Sequence, residues 1–151
     1  MHGRILFGAI AVLAAAALVP VAWADRVYHS EHLDLTPVSG PPLRSGFVEN
    51  VHPNGPNVFA HEIYVLNGAA PDTRYQVVLL VYPFAPDCSG TPVEVPTAVL
   101  STNGAGNGRA DAFIAPSDVA ALRNATHGVA WKLMSGSDVA YRTDCTSVTL
   151  D

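Results

Sequence analysis

Histidines and carboxylates are the residues of this 151-residue chain best equipped for chemistry, and His29, His32, Glu49, His52, His61 and Glu62 fall close together in it. His61-Glu62 matches the opening of the zinc-protease motif, which needs a second histidine four residues after the first so that both ligands share a helical face. Position 65 is Val65 and the stretch alternates as a strand does, so that motif is excluded. A looser metal site could draw on His52, His61 and Glu62, with Glu49 beside them and His29 and His32 from the preceding arm. A closed site needs three or four converging ligands. If Pro53 to Asn57 form the loop between two paired strands, Glu49 faces His61 and His52 faces Val58. His52 and His61 then point to opposite faces, and a Glu49 to His61 hydrogen bond is the simpler account unless a bulge intervenes. The reading is that the chain holds no cofactor, with His52, His61 and Glu62 the candidates should a metal bind.

Other chemistries find less. Asn103, Asn107 and Asp111, set among Gly104, Gly106 and Gly108, could offer oxygen to calcium. Their spacing fits neither the helix-loop pattern nor a repeated nonapeptide, and a turn needs the same residue types. No nucleophile elbow, phosphate loop or dinucleotide fingerprint is present, so no catalytic residue is assigned. Asn124-Ala125-Thr126 is a glycosylation sequon, meaningful only in a eukaryotic secretory host.

The first 24 residues carry an export signal: Arg4, an uncharged run from Ile5 to Val19, Pro20, and then Ala22-Trp23-Ala24 as the small-x-small site. Cleavage is predicted after Ala24, which leaves no membrane span and a secreted, periplasmic or cell-envelope location. In an oxidising compartment the two cysteines, Cys88 and Cys145, are expected to form a disulfide. Neither has a second cysteine or a histidine at metal-ligand spacing. Eight basic against thirteen acidic side chains give a net charge of −5, and cleavage would remove Arg4 from the eight. That balance argues against nucleic acid, whose phosphates demand basic surface.

The positioning elements read as strands. Period-two alternation and β-branched residues mark Phe47 to His52, Val58 to Leu66, Thr73 to Tyr82, Val93 to Ser101, Arg109 to Ala115, Gly128 to Met134, Val139 to Tyr141 and Cys145 to Leu150. Residues 25–46, with Pro37, Pro41 and Pro42, read as an irregular arm and loop, and 47–151 as the folded domain. Thr73 to Tyr82 is apolar on both faces and should be central. Pro96 marks an edge or a bulge. Thr102 to Gly108 reads as a hairpin tip from which Arg109 to Ala115 pairs back, and Ser117 to Asn124 as one short helix capped by Ser117. Trp131, alternating with Val129 and Leu133, is a core residue. Tyr28, Tyr82, Phe84 and Tyr141 lie near strand ends or loops, where aromatics build binding surfaces. Seven or eight short strands imply an all-β antiparallel sandwich with one disulfide.

The segment Pro71-x-Thr73-x-Tyr75-x-Val77 resembles the turn and strand of fibronectin type III and related immunoglobulin-like sandwiches. The resemblance implies that Tyr75 forms a tyrosine corner, its ring in the core and its hydroxyl bonded to nearby backbone. Several strands follow this segment, so it implies a cousin of that topology and no activity. The expectation is a noncatalytic secreted binding or cell-envelope accessory module with a protein or glycan ligand. The alternative is a small secreted metal-dependent enzyme or metal-binding protein using His52, His61 and Glu62.

Overall fold

The computed structural model describes residues 28–53 and 60–150. The export signal of residues 1–24, most of the turn after His52, and Val58 and Phe59 lie outside the described residues. Ten strands follow in order: β1 (Tyr28–Asp34), β2 (Thr36–Pro37), β3 (Ser45–Pro53), β4 (Ala60–Asn67), β5 (Arg74–Tyr82), β6 (Val93–Ser101), β7 (Gly108–Ile114), β8 (Ala125–Ser135), β9 (Asp138–Arg142) and β10 (Thr146–Leu150). They form two packed antiparallel sheets, one ordered β1-β3-β4-β7 and the other β2-β9-β8-β5-β6. β10 continues the edge of β9 by pairing with the first half of β8.

β5 is central because its sequence lets it be nothing else. Tyr75, Val77, Leu79 and Val81 face the other sheet, and Val78 on the reverse face is buried too. Such two-sided burial suits an interior strand, and β6 and β8 flank it. β6 is an edge strand, and its register slips so that Val77 pairs with Ala98 while Val78 pairs with Pro96. Pro96 therefore marks both an edge and a bulge, with Thr97 as the extra residue.

Three sequence expectations are corrected. The stretch 25–46 contains β1, which pairs with β3 from Tyr28 opposite Pro53 to Asp34 opposite Phe47. Strand β7 does not pair back on β6; it crosses to the other sheet and pairs with β4. The turn before it explains the crossing. Asn103 Oδ1 accepts from the Ala105 and Asn107 amides, and Ala69 N donates to Gly106 O at 3.0 Å. That bond ties the turn to the one between β4 and β5. Gly106 sits at φ +74°, and a Cβ there would lie 2.0 Å from the Ala69 carbonyl oxygen, so only glycine allows this approach. The helix expected over Ser117 to Asn124 reduces to a single 3-10 turn, Ala120–Leu122, without a side-chain cap. Asp118 accepts from the Ala115 amide instead, and the Ser117 hydroxyl turns toward Asp118.

The hairpin β3–β4 stays within one sheet. Cys88 and Cys145 form the disulfide, joining the loop after β5 to the residue before β10. That loop packs so closely over β8 that a Cβ on Gly128 would meet Cys88 Sγ at 2.8 Å and the Ala85 carbonyl oxygen at 2.3 Å. Among the described residues, no helix is long and apolar enough to cross a membrane.

Candidate functional site

Alternation along β3 and β4 aims one set of side chains at the core. On β3 this set includes Val48, Asn50 and His52; on β4 it is Ala60, Glu62, Tyr64 and Leu66. Asn50 and Glu62 are direct cross-strand partners. A carboxyl group therefore stands inside the sandwich, with Glu62 only 1% exposed.

Glu62 is held by two donors, one from its own strand and one from the facing sheet. The Tyr64 hydroxyl, two residues along the same strand, donates to Glu62 Oε2. The Trp131 indole reaches the same oxygen from β8 in the facing sheet at 3.0 Å. Because Tyr64 gives its only proton to Glu62, Thr97 must donate to the Tyr64 oxygen, at 2.7 Å. The β6 bulge is what frees Thr97 to do so. Burial raises the Glu62 pKa above the ordinary carboxylate value, and the bonds from Tyr64 and Trp131 only partly offset this. Burial and the adjacent Glu62 likewise push the Tyr64 phenol up. Glu62 is thus biased toward its neutral form. With Oε2 accepting two donors, Oε1 is the oxygen left to carry the proton.

Asn50 is the second polar group of this region. Its Nδ2 donates to Glu31 Oε2 at 2.9 Å, which fixes the amide orientation because an ionised carboxylate can only accept. Its Oδ1 is buried and finds no partner among the described residues. Glu31 also holds His52 Nε2 at 3.2 Å, and the His29 ring stacks on His52 with centroids 5.3 Å apart.

Beside these groups the two sheets leave a cavity of about 130 Å³. Asn50, Glu62, Asp118, His127 and Trp131 are its polar lining, and Leu79, Val129 and Leu150 are among the apolar residues around it. Val95, at the edge strand, lines it and is 39% exposed, so the cavity reaches the surface there. A cavity of about 150 Å³ accepts benzene, which sets the scale of a guest.

His127, which the sequence did not single out, is buried at the same end. The Phe84 amide donates to its Nδ1 at 3.1 Å, so Nε2 carries the proton and donates to the Leu122 carbonyl at 2.7 Å. It ties the 3-10 turn and the loop after β5 to β8. A lone histidine with no patterned neighbour gives no advance sign of this.

The metal-ligand candidates do not come together. His52 and Glu62 face inward and His61 faces outward, where it lies 3.6 Å from Asp111. The register sets His61 opposite Val51 and Glu49 opposite Ile63, two residues away from the expected pairing. A two-residue slip preserves the faces, so His52 and His61 do point apart, but it removes the Glu49 to His61 contact. Glu49 instead accepts from Ser30 and meets His32 at 2.8 Å, and these bonds lower its pKa. Among the described residues no group of three or more histidine, cysteine or acidic side chains is arranged to hold a metal. The Asn103 side chain is spent on its own turn, and Asn107 Oδ1 accepts from the Gly68 amide and from Arg44.

Trp131 and Tyr75 are each 1% exposed, within the core. Tyr75 packs against Tyr141 at 5.7 Å, and it is the Tyr141 hydroxyl that donates to a backbone carbonyl, that of Pro41, at 3.1 Å. Phe84 is 69% exposed. Tyr82 borders a depression of about 390 Å³ on the reverse face of its sheet, together with Lys132, Arg142, Asp144 and the disulfide. No family model, no curated protein and no solved structure matches this chain.

Proposed function

We propose that the chain is a noncatalytic secreted or cell-envelope binding module, and that its ligand occupies the cavity between the sheets. The observation that carries this reading is the cavity itself: a pocket between the sheets lined by a buried carboxyl and by Asn50, whose amide oxygen has no partner among the described residues. Apolar walls with a few convergent polar groups and a perturbed acid are the usual marks of a small-ligand site. The disulfide and the lack of a spanning helix among the described residues fit an extracellular setting. The metal-dependent alternative has less support, because His61 stands on the opposite face from His52 and Glu62.

The test is a thermal-shift and native mass-spectrometry screen of small molecules against the native protein, Val95→Phe at the cavity rim, and His61→Ala. Ligands at a hundredfold excess over Kd should stabilise the native protein by about 2.7 kcal/mol. His61→Ala should keep those hits and Val95→Phe should lose them. A screen without hits, or hits indifferent to Val95→Phe, would refute the reading.

A further inference from the structure

The chemistry of two of the polar groups at the cavity narrows the ligand class, an inference that rests on the binding reading above; of the others, His127 has both ring nitrogens bonded and Asp118 accepts from the Ala115 amide. Asn50 and Glu62 are cross-strand partners, both line the cavity and both are more than nine-tenths buried. Each is committed on one side only. Asn50 Nδ2 is taken by Glu31 and Glu62 Oε2 by Tyr64 and Trp131, while Asn50 Oδ1 has no partner among the described residues. What remains on these two cross-strand partners is one acceptor, Asn50 Oδ1, and one carboxyl oxygen, Glu62 Oε1, able to hold a proton. A hydroxyl is the smallest group that satisfies both, since it can donate and accept at once.

We propose that the cavity binds a small uncharged alcohol or phenol, whose hydroxyl donates to Asn50 Oδ1 and accepts from the Glu62 carboxyl while its hydrocarbon part lies against Leu79, Val129 and Leu150. The volume limits that part to about one six-membered ring. A hydrocarbon of the same shape leaves the buried amide oxygen unpaired, which is where discrimination arises. A cationic amine would need Glu62 ionised at a site that burial disfavours.

Calorimetric titration of the full chain with phenol, toluene and benzylamine, repeated on Glu62→Gln and Asn50→Leu, tests this. Phenol should bind about ten times more tightly than toluene, the yield of one to two net hydrogen bonds. Glu62→Gln should keep that preference, because its amide can accept from Tyr64 and Trp131 through oxygen and still donate toward the cavity. Asn50→Leu should abolish it; if that variant does not fold, the Glu62→Gln result decides. Tightest binding by benzylamine, lost in Glu62→Gln, would make Glu62 an ionised counter-ion and overturn the proposal. Equal affinity for phenol and toluene would overturn it while leaving the binding reading intact. Failure of all three probes, beside Val95-dependent hits from the screen, would do the same, whereas absence of any ligand at all would defeat both.

Discussion

At one end of the sandwich Leu66, Tyr75, Leu100, Leu133 and Tyr141 fill the space between the sheets, none more than 1% exposed; at the other, around Glu62, the same two sheets leave a cavity. The filled end is secured by packing, and its tyrosines can be buried because each ring is large and the Tyr141 hydroxyl finds the Pro41 carbonyl. The cavity end is secured by directional contacts. Tyr64 and Trp131 bond Glu62 with Thr97 behind Tyr64, His127 pins the 3-10 turn, and the disulfide clamps the loop after β5 over β8 just before β10 begins. An element that must admit a guest gives up close packing, and covalent and hydrogen-bonded restraint then keeps the strands apart without collapse.

This contrast can be broken most forcefully at its filled end. Tyr75→Ala should cost about 3–5 kcal/mol, the range for removing a buried aromatic ring. Leu150→Ala at the cavity end should cost nearer 2 kcal/mol, because its neighbours already have room to relax. Denaturant unfolding checks both, and equal losses would remove the distinction. Replacing both cysteines by alanine should cost about 2–4 kcal/mol from loop closure alone. The loss should be local as well as global. Amide exchange should accelerate first in β10 and in the loop after β5, with β9 and the Tyr75 half of β5 at the filled end lagging.

The smallest expected effect carries a pH signature. Glu62 titrates above the ordinary value of 4.5 when folded, so the unfolded chain releases this proton first as pH rises. Its contribution is neutral below that value and turns increasingly against folding as pH climbs toward the folded pKa. The groups that face it are the donors Tyr64 and Trp131, Thr97 behind Tyr64, and Asn50, with Asp118 and His127 elsewhere on the cavity wall. Glu62→Gln cannot ionise, so its stability relative to the native protein should rise with pH from a small difference near pH 4. Chemical denaturation across pH 4 to 9 reads this, and a constant offset would mean that Glu62 stays ionised when folded.

How legible this was in the sequence depended on the range of each interaction. β5 announced itself because two-sided apolarity is local, and Val93–Ser101 could be bounded to the residue because proline and glycine punctuate it. The division of β4 into two faces was readable from alternation, but not which face turns inward. Ile63 and Val65 make the outer set look the more apolar, and inside Glu62 meets donors from Tyr64 and from Trp131, the latter far along the chain. The crossing of β7 goes with bonds between two turns, Ala69 to Gly106, Asp72 to Asn103 and Gly68 to Asn107, which no periodicity reports. β1 was hidden by the prolines after it, although it is held by a full run of pairs to β3. The cavity has no sequence signal at all, since it is the space that seven strands and a turn fail to fill.

The most direct test of a guest site at the Glu62 end is a chemical-shift titration of the isotope-labelled full chain with phenol. The account predicts that the Trp131 indole proton and the Asn50 side-chain amide shift together and saturate, while amides of Tyr141 and Leu133 at the filled end stay in place. Shifts confined to Tyr82, Lys132 and Arg142 at the outer depression, or no saturable shift of the Trp131 indole, would contradict it.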